Sequence, residues 1–204
     1  MDFVDYVDIN SNEPLHNACA TGDLEKVNAL IMAGTGVNIR DDQFNTALHV
    51  AASNNHEDIV KLLIEAGANV NAAATFSTTP LYISVENGHI NCVKLLIDSG
   101  ADVNQGIENN MRPLHIAASN GHHEVVKWLL RKGADIDAKS DEERTPLFYA
   151  IERNELHCVV TLVQNGADVN AVSKDGKMPL QVAKMEMEKE QSEFNYTNEA
   201  PKVT

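Results

Sequence analysis

Residues Thr145 to Asn170 read TPLFYAIERNELHCVVTLVQNGADVN. The Thr145 hydroxyl suits a helix cap, and Pro146 fits the first helical turn, where its missing N–H leaves nothing unbonded. A helix is predicted to start there. It runs only to Arg153, because Asn154 is one of the two residue types that best tolerate a left-handed backbone. Cys158, Val159, Leu162 and Val163 then recur at helical spacing and mark the core face of a second helix. Gly166 ends it.

The same features recur along the whole chain. Pro14-Leu15-His16, Ala47-Leu48-His49, Pro80-Leu81-Tyr82, Pro113-Leu114-His115, Pro146-Leu147-Phe148 and Pro179-Leu180-Gln181 stand 33 residues apart, as do Gly34, Gly67, Gly100, Gly133 and Gly166. The first helix meets Gly22, Asn55, Gly88, Gly121 or Asn154 each time, and Ile59, Val60, Leu63 and Ile64 repeat the second-helix core. One structural unit has been copied along an axis. Helices of two to three turns fall below the roughly 12 to 15 residues at which an isolated helix is marginal. Each pair must therefore bury its aliphatic face on the next, at about 25 cal/mol per Å². Between pairs, Ala167-Asp168-Val169-Asn170 and the polar residues after it read as an extended, hairpin-like finger.

The 204-residue chain is 43% hydrophobic and 5% aromatic, which suits one domain of aliphatic helix packing. Its 30 acidic and 16 basic side chains leave a net charge of −14, which argues against nucleic acid or an anionic membrane surface as a direct partner. Residues 1–12 supply −3 and residues 184–204 supply −2, leaving −9 on the repeats. Cys19, Cys92 and Cys158 are odd in number and widely spaced, so they imply neither a disulfide framework nor a zinc knuckle and read as buried small hydrophobes. The start, Met1 to Tyr6, lacks a signal-peptide pattern, and no run approaches a membrane span. A monomer in the cytoplasm or nucleus, without membrane insertion, is the expectation.

Thr-Pro-Leu-His-x-Ala, Asn-Gly-His, Val-Val-Lys-x-Leu-Leu and Gly-Ala-Asp-Val-Asn together resemble the ankyrin repeat, most closely over Arg112 to Asp137. The resemblance covers residues 13–183, as five full repeats plus a C-terminal half repeat. It implies an all-α solenoid of paired antiparallel helices with short β-hairpin-like fingers and a concave binding groove. It also implies no catalysis and no cofactor. By the same resemblance His16, His49 and His115 belong to a structural hydrogen-bond network near the finger base. Asn104 and Asn170 each follow Asp-Val and have a leucine eight residues earlier, Leu96 and Leu162, so the resemblance makes them candidate substrates of an asparaginyl hydroxylase. Asn71 matches less well. The rival reading is that these asparagines simply bond neighbouring fingers.

Residues 1–12 read as an N-terminal arm or partial finger. Either an array has been truncated, or Phe3, Val4 and Val7 lie over the first helix pair as a cap, the reading favoured by Met1. Residues 184–204 read as a polar helical extension that frays from about Glu193. Glu13, Arg112 and Met178 replace the capping threonine, and Tyr82, Phe148 and Gln181 replace the histidine. Glu57 and His123 stand where Leu24, Ile90 and Leu156 are apolar, a local loosening.

Catalytic and metal readings are weak. His122-His123-Glu124 lacks the second histidine of a zincin helix, since Lys127 holds that place, and Gly34-x-Gly36 lacks the third glycine of a dinucleotide loop. Asn195-Tyr196-Thr197 fits a glycosylation acceptor without secretory context. Trp128 reads as half-buried packing.

The resemblance places ligands at finger tips and at the exposed ends of first helices. In register the tips are Arg40, Asp42, Gln43, Thr75, Phe76, Glu108, Asn109, Met111, Asp141, Glu142 and Arg144, and the helix ends are Glu86, Asn87, Ser119, Asn120, Glu152 and Arg153. Phe76 and Met111 read as apolar anchors amid mostly acidic neighbours, a mixture suited to a protein or peptide carrying basic residues. A non-enzymatic interaction module or adaptor is the leading expectation. A passive spacer within a longer array is the alternative.

Overall fold

The computed structural model describes residues 14–198, and the N-terminal arm, Glu13 and the last six residues lie outside that range. The chain divides into two compact units, Met1–Glu108 and Asn109–Thr204. The first contains three helix pairs: α1 (Pro14–Thr21) with α2 (Leu24–Met32), α3 (Ala47–Ser53) with α4 (Glu57–Glu65), and α5 (Pro80–Glu86) with α6 (Ile90–Asp98). The second contains α7 (Pro113–Ser119) with α8 (His123–Arg131), α9 (Pro146–Glu152) with α10 (Leu156–Gln164), and a single long α11 (Pro179–Asn198).

The helix boundaries follow the punctuation read from the sequence. Proline opens α5, α7 and α9, and the residues after the first helices, Gly22, Asn55, Gly88, Gly121 and Asn154, have φ of 74°, 59°, 70°, 73° and 56°. Left-handed backbone lets the chain reverse and begin the second helix. At Gly22 an added Cβ would also lie 2.7 Å from the His56 ring, which would have to shift to admit it.

First helices stack on first helices, α1 on α3 and α3 on α5, while α2 lies on α4 and α4 on α6. In the second unit α7 packs on α9, α9 on α11, and α8 on α10. The core between these layers is aliphatic: Leu15, Leu48, Leu81, Val60, Leu63 and Leu96 in one unit, Leu114, Leu129, Leu147 and Leu162 in the other, all buried. Cys19, Cys92 and Cys158 are buried free thiols, and burial pushes them up to about 12, 11 and 11, so they behave as small hydrophobes. Trp128 is half-buried, with the Lys132 ammonium 4.9 Å from its ring centroid.

Three expectations need correction. The stretch between helix pairs is not extended throughout: Val169 and Asn170 form a turn closed by Ala171 N–H to Asp168 O at 3.3 Å, and the hairpin-like fingers carry one isolated antiparallel bridge, Arg40 with Thr46, among the described residues. Thr145 does not cap α9. Its buried hydroxyl lacks a hydrogen-bond partner, whereas the equivalent Thr46 hydroxyl meets His49 Nδ1 at 2.9 Å; Phe148 has removed the ring nitrogen. The C-terminal extension stays helical through Asn198, beyond the expected fraying point at Glu193.

Candidate functional site

Each finger tip turns through one left-handed residue: Phe44 (62°), Ser77 (62°), Asn110 (57°), Glu143 (55°) and Gly176 (77°). Asparagine and glycine accept this backbone readily, but a phenylalanine there costs on the order of 1 kcal/mol. Phe76, one residue before its slot, also has φ 59°. Such outliers persist where surrounding bonds over-determine them.

Those bonds are present in the first unit. Thr75 donates its N–H (3.1 Å) and its hydroxyl (2.7 Å) to Gln43 O, and Glu108 N–H donates to Phe76 O at 3.3 Å. Arg40 reaches Ala73 O at 2.6 Å. Consecutive tips are thereby held side by side, bringing together Arg40, Asp42, Gln43, Thr75, Phe76 and Glu108. Phe44 and Phe76 remain 59% and 64% exposed, and a hollow of about 350 Å³ lined by Gln43, Asn45, Thr75, Phe76 and Thr78 opens beside them. Glu86 and Asn87 are exposed at the end of α5. Phe44 was missed in the sequence because it occupies a turn slot fixed by backbone angle; the available signal was an aromatic in register with Ser77 and Gly176.

In the second unit Asp141 N–H donates to Asn109 O at 3.1 Å and Lys174 N–H to Glu142 O at 2.9 Å. Asn109, Asn120, Asp141, Glu142 and Arg153 are exposed, and Ser119 is half-buried. Met111 is not an exposed anchor. It is 9% exposed, and its N–H donates to Asn109 Oδ1 at 3.1 Å. Arg144 and Glu152 are half-buried and form an ion pair with each other. Arg144 also lies 3.9 Å from Asp175, whose carboxyl is held down at about 2 by hydrogen bonds from Lys177 and then Ser173. The charges of this finger base largely satisfy one another.

Beneath the tips, His16 Nε2 meets Asn45 O at 3.0 Å, His49 Nε2 meets Thr78 O at 3.2 Å, and His115 Nε2 meets Ala138 O and Arg144 O at 3.0 and 3.1 Å. Nδ1 of His49 and His115 accepts the N–H of Thr46 and Arg112, both at 3.1 Å. Gln181 Oε1 takes the same bond from Met178 N–H at 2.8 Å. The asparagines also bridge repeats, Asn38 Nδ2 to Gly67 O at 3.2 Å and Asn71 Nδ2 to Gly100 O at 3.0 Å. Asn104 and Asn170 each bond the aspartate two residues earlier through their own N–H, at 2.8 and 2.9 Å.

The repeat geometry has a known counterpart. A family model described as Ankyrin repeats (3 copies) matches residues 15–107, 74–140 and 114–190. The chain belongs to the ankyrin-repeat family. Among solved structures it resembles the human ASB11 ankyrin repeat domain, with 32% identity, 84% of this chain and 77% of that chain covered, and a TM-score of 0.77. No curated protein sequence matches it significantly. Ankyrin repeats are in general non-catalytic protein–protein interaction modules, and the histidine and asparagine bridges described above are what align their fingers here. No helix among the described residues is long and apolar enough to cross a membrane.

Proposed function

We propose that the fingers of the first unit bind a protein or peptide segment that pairs apolar side chains with lysine or arginine. The exposed Phe44 and Phe76 carry this reading, since two aromatic side chains held out to solvent on strained backbone have a role that packing does not supply. Charge supports it. Residues 1–108 hold 15 of the 30 acidic side chains but only 4 of the 16 basic ones, a net −11 against −3 on the rest. An acidic surface steers a basic segment, while desolvated aromatics provide the affinity.

Peptide-display selection on the full chain tests this directly. Enriched sequences are expected to pair lysine or arginine with apolar residues. Phe44→Gly with Phe76→Ala should weaken the selected peptides by roughly tenfold or more. The Phe44→Gly change should also raise stability by about 1 kcal/mol, because glycine relieves the left-handed turn. Selection without basic enrichment, or peptides indifferent to both changes, would overturn the assignment.

A further inference from the structure

The first two turns of α11 stand where the first helix of a sixth pair belongs. Pro179 is in register with Pro113 and Pro146, α11 packs on α9, and Val182 closes over Phe148 and Ala171. In the earlier pairs of this unit the chain then reverses at Gly121 or Asn154. The equivalent position here is Met187, which offers no such stop, and the helix runs on to Asn198. No helix returns within α11 to cover α10 as α10 covers α8. What that helix would bury stays open: Leu156, Val163, Leu180 and Met187 are exposed, the last two by 63% and 70%. With Val159 and Ala183 they line a hollow of about 350 Å³ that carries one charged side chain, Glu186.

We infer that this groove docks an amphipathic helix of a partner protein, seated where the second helix of a sixth pair would lie. The inference rests on continuity with the packing already formed inside the unit, where nine-residue helices α8 and α10 lie against each other and bury Val125, Val126 and Leu129 of one and Cys158 and Leu162 of the other. The helix that fits has aliphatic residues at i, i+1 and i+4, with a basic residue beside Glu186. Nine residues do not hold a helix in water alone, so the ligand is part of a larger folded chain. This surface is separate from the Phe44 and Phe76 fingers.

The probe is a labelled, hydrocarbon-stapled peptide copying residues 122–133, a second helix of this chain, titrated into the full protein by fluorescence anisotropy. Saturable binding is expected, weakened roughly tenfold or more by Leu180→Glu and by Met187→Glu. Both side chains are exposed, so circular dichroism and melting temperature should match wild type. Phe76→Ala should leave the peptide affinity unchanged, which separates this surface from the finger site. An absence of saturable binding, or binding that survives both glutamate variants, overturns the inference. So does a dimer, seen by light scattering, that Leu180→Glu dissolves, because the groove then belongs to a second copy.

Discussion

His49 and His115 place both ring nitrogens against protein partners deep beneath the fingers, and burial lowers each to about 4 against weaker raising contributions from backbone bonds. The folded protein holds them neutral while the unfolded chain binds protons below about 6.5. Stability is therefore level above that pH and falls as pH drops from about 6.5 towards 4, by roughly 3 kcal/mol per histidine at 1.4 kcal/mol per unit. Urea midpoints measured across this window should show the loss, and His115→Tyr, which copies Tyr82 at the same register, should flatten the slope. An unchanged slope in that variant would remove His115 as a source. The recurring histidine was legible in the sequence, and the ankyrin resemblance implied its network. The unpartnered Thr145 hydroxyl was not, because a cap residue reads the same whether or not its ring partner is present three positions later.

Among the elements, helix position was readable because proline and the left-handed Gly/Asn slots mark both ends. The finger turns were less so, since their bends depend on backbone angles that Phe44 and Glu143 adopt against their own preference. The long α11 was only half visible: a missing stop at Met187 leaves a helix without a sequence signal for where it ends. Packing differs along the array in a measurable way. Leu114 and Leu147, on the first helices α7 and α9, are fully buried, whereas Leu30 on α2 is half-buried. Leu114→Ala and Leu147→Ala should each cost about 2 to 5 kcal/mol and Leu30→Ala distinctly less. Equal shifts in denaturant midpoint at all three positions would contradict the layered core.

At the scale of the whole chain, a net charge of −14, most of it on residues 1–108, works against the compact state through self-repulsion. Raising salt from about 0.01 M to about 1 M shortens the screening length from about 30 Å to about 3 Å. The melting temperature should rise by a few degrees while association of a basic peptide slows; a falling melting temperature would mean that attractive pairs, such as Arg144 with Glu152, outweigh the repulsion. The spacing of the internal bonds has a further consequence. Histidine-to-finger and asparagine-to-glycine contacts recur 29 residues apart, and the asparagine-to-amide contacts recur 31 apart. Contact order stays low however many repeats are joined, so the loops closed during folding do not lengthen with the chain. During synthesis, each helix pair acquires its neighbour as soon as about one more repeat has left the ribosome, and the array grows from its amino end.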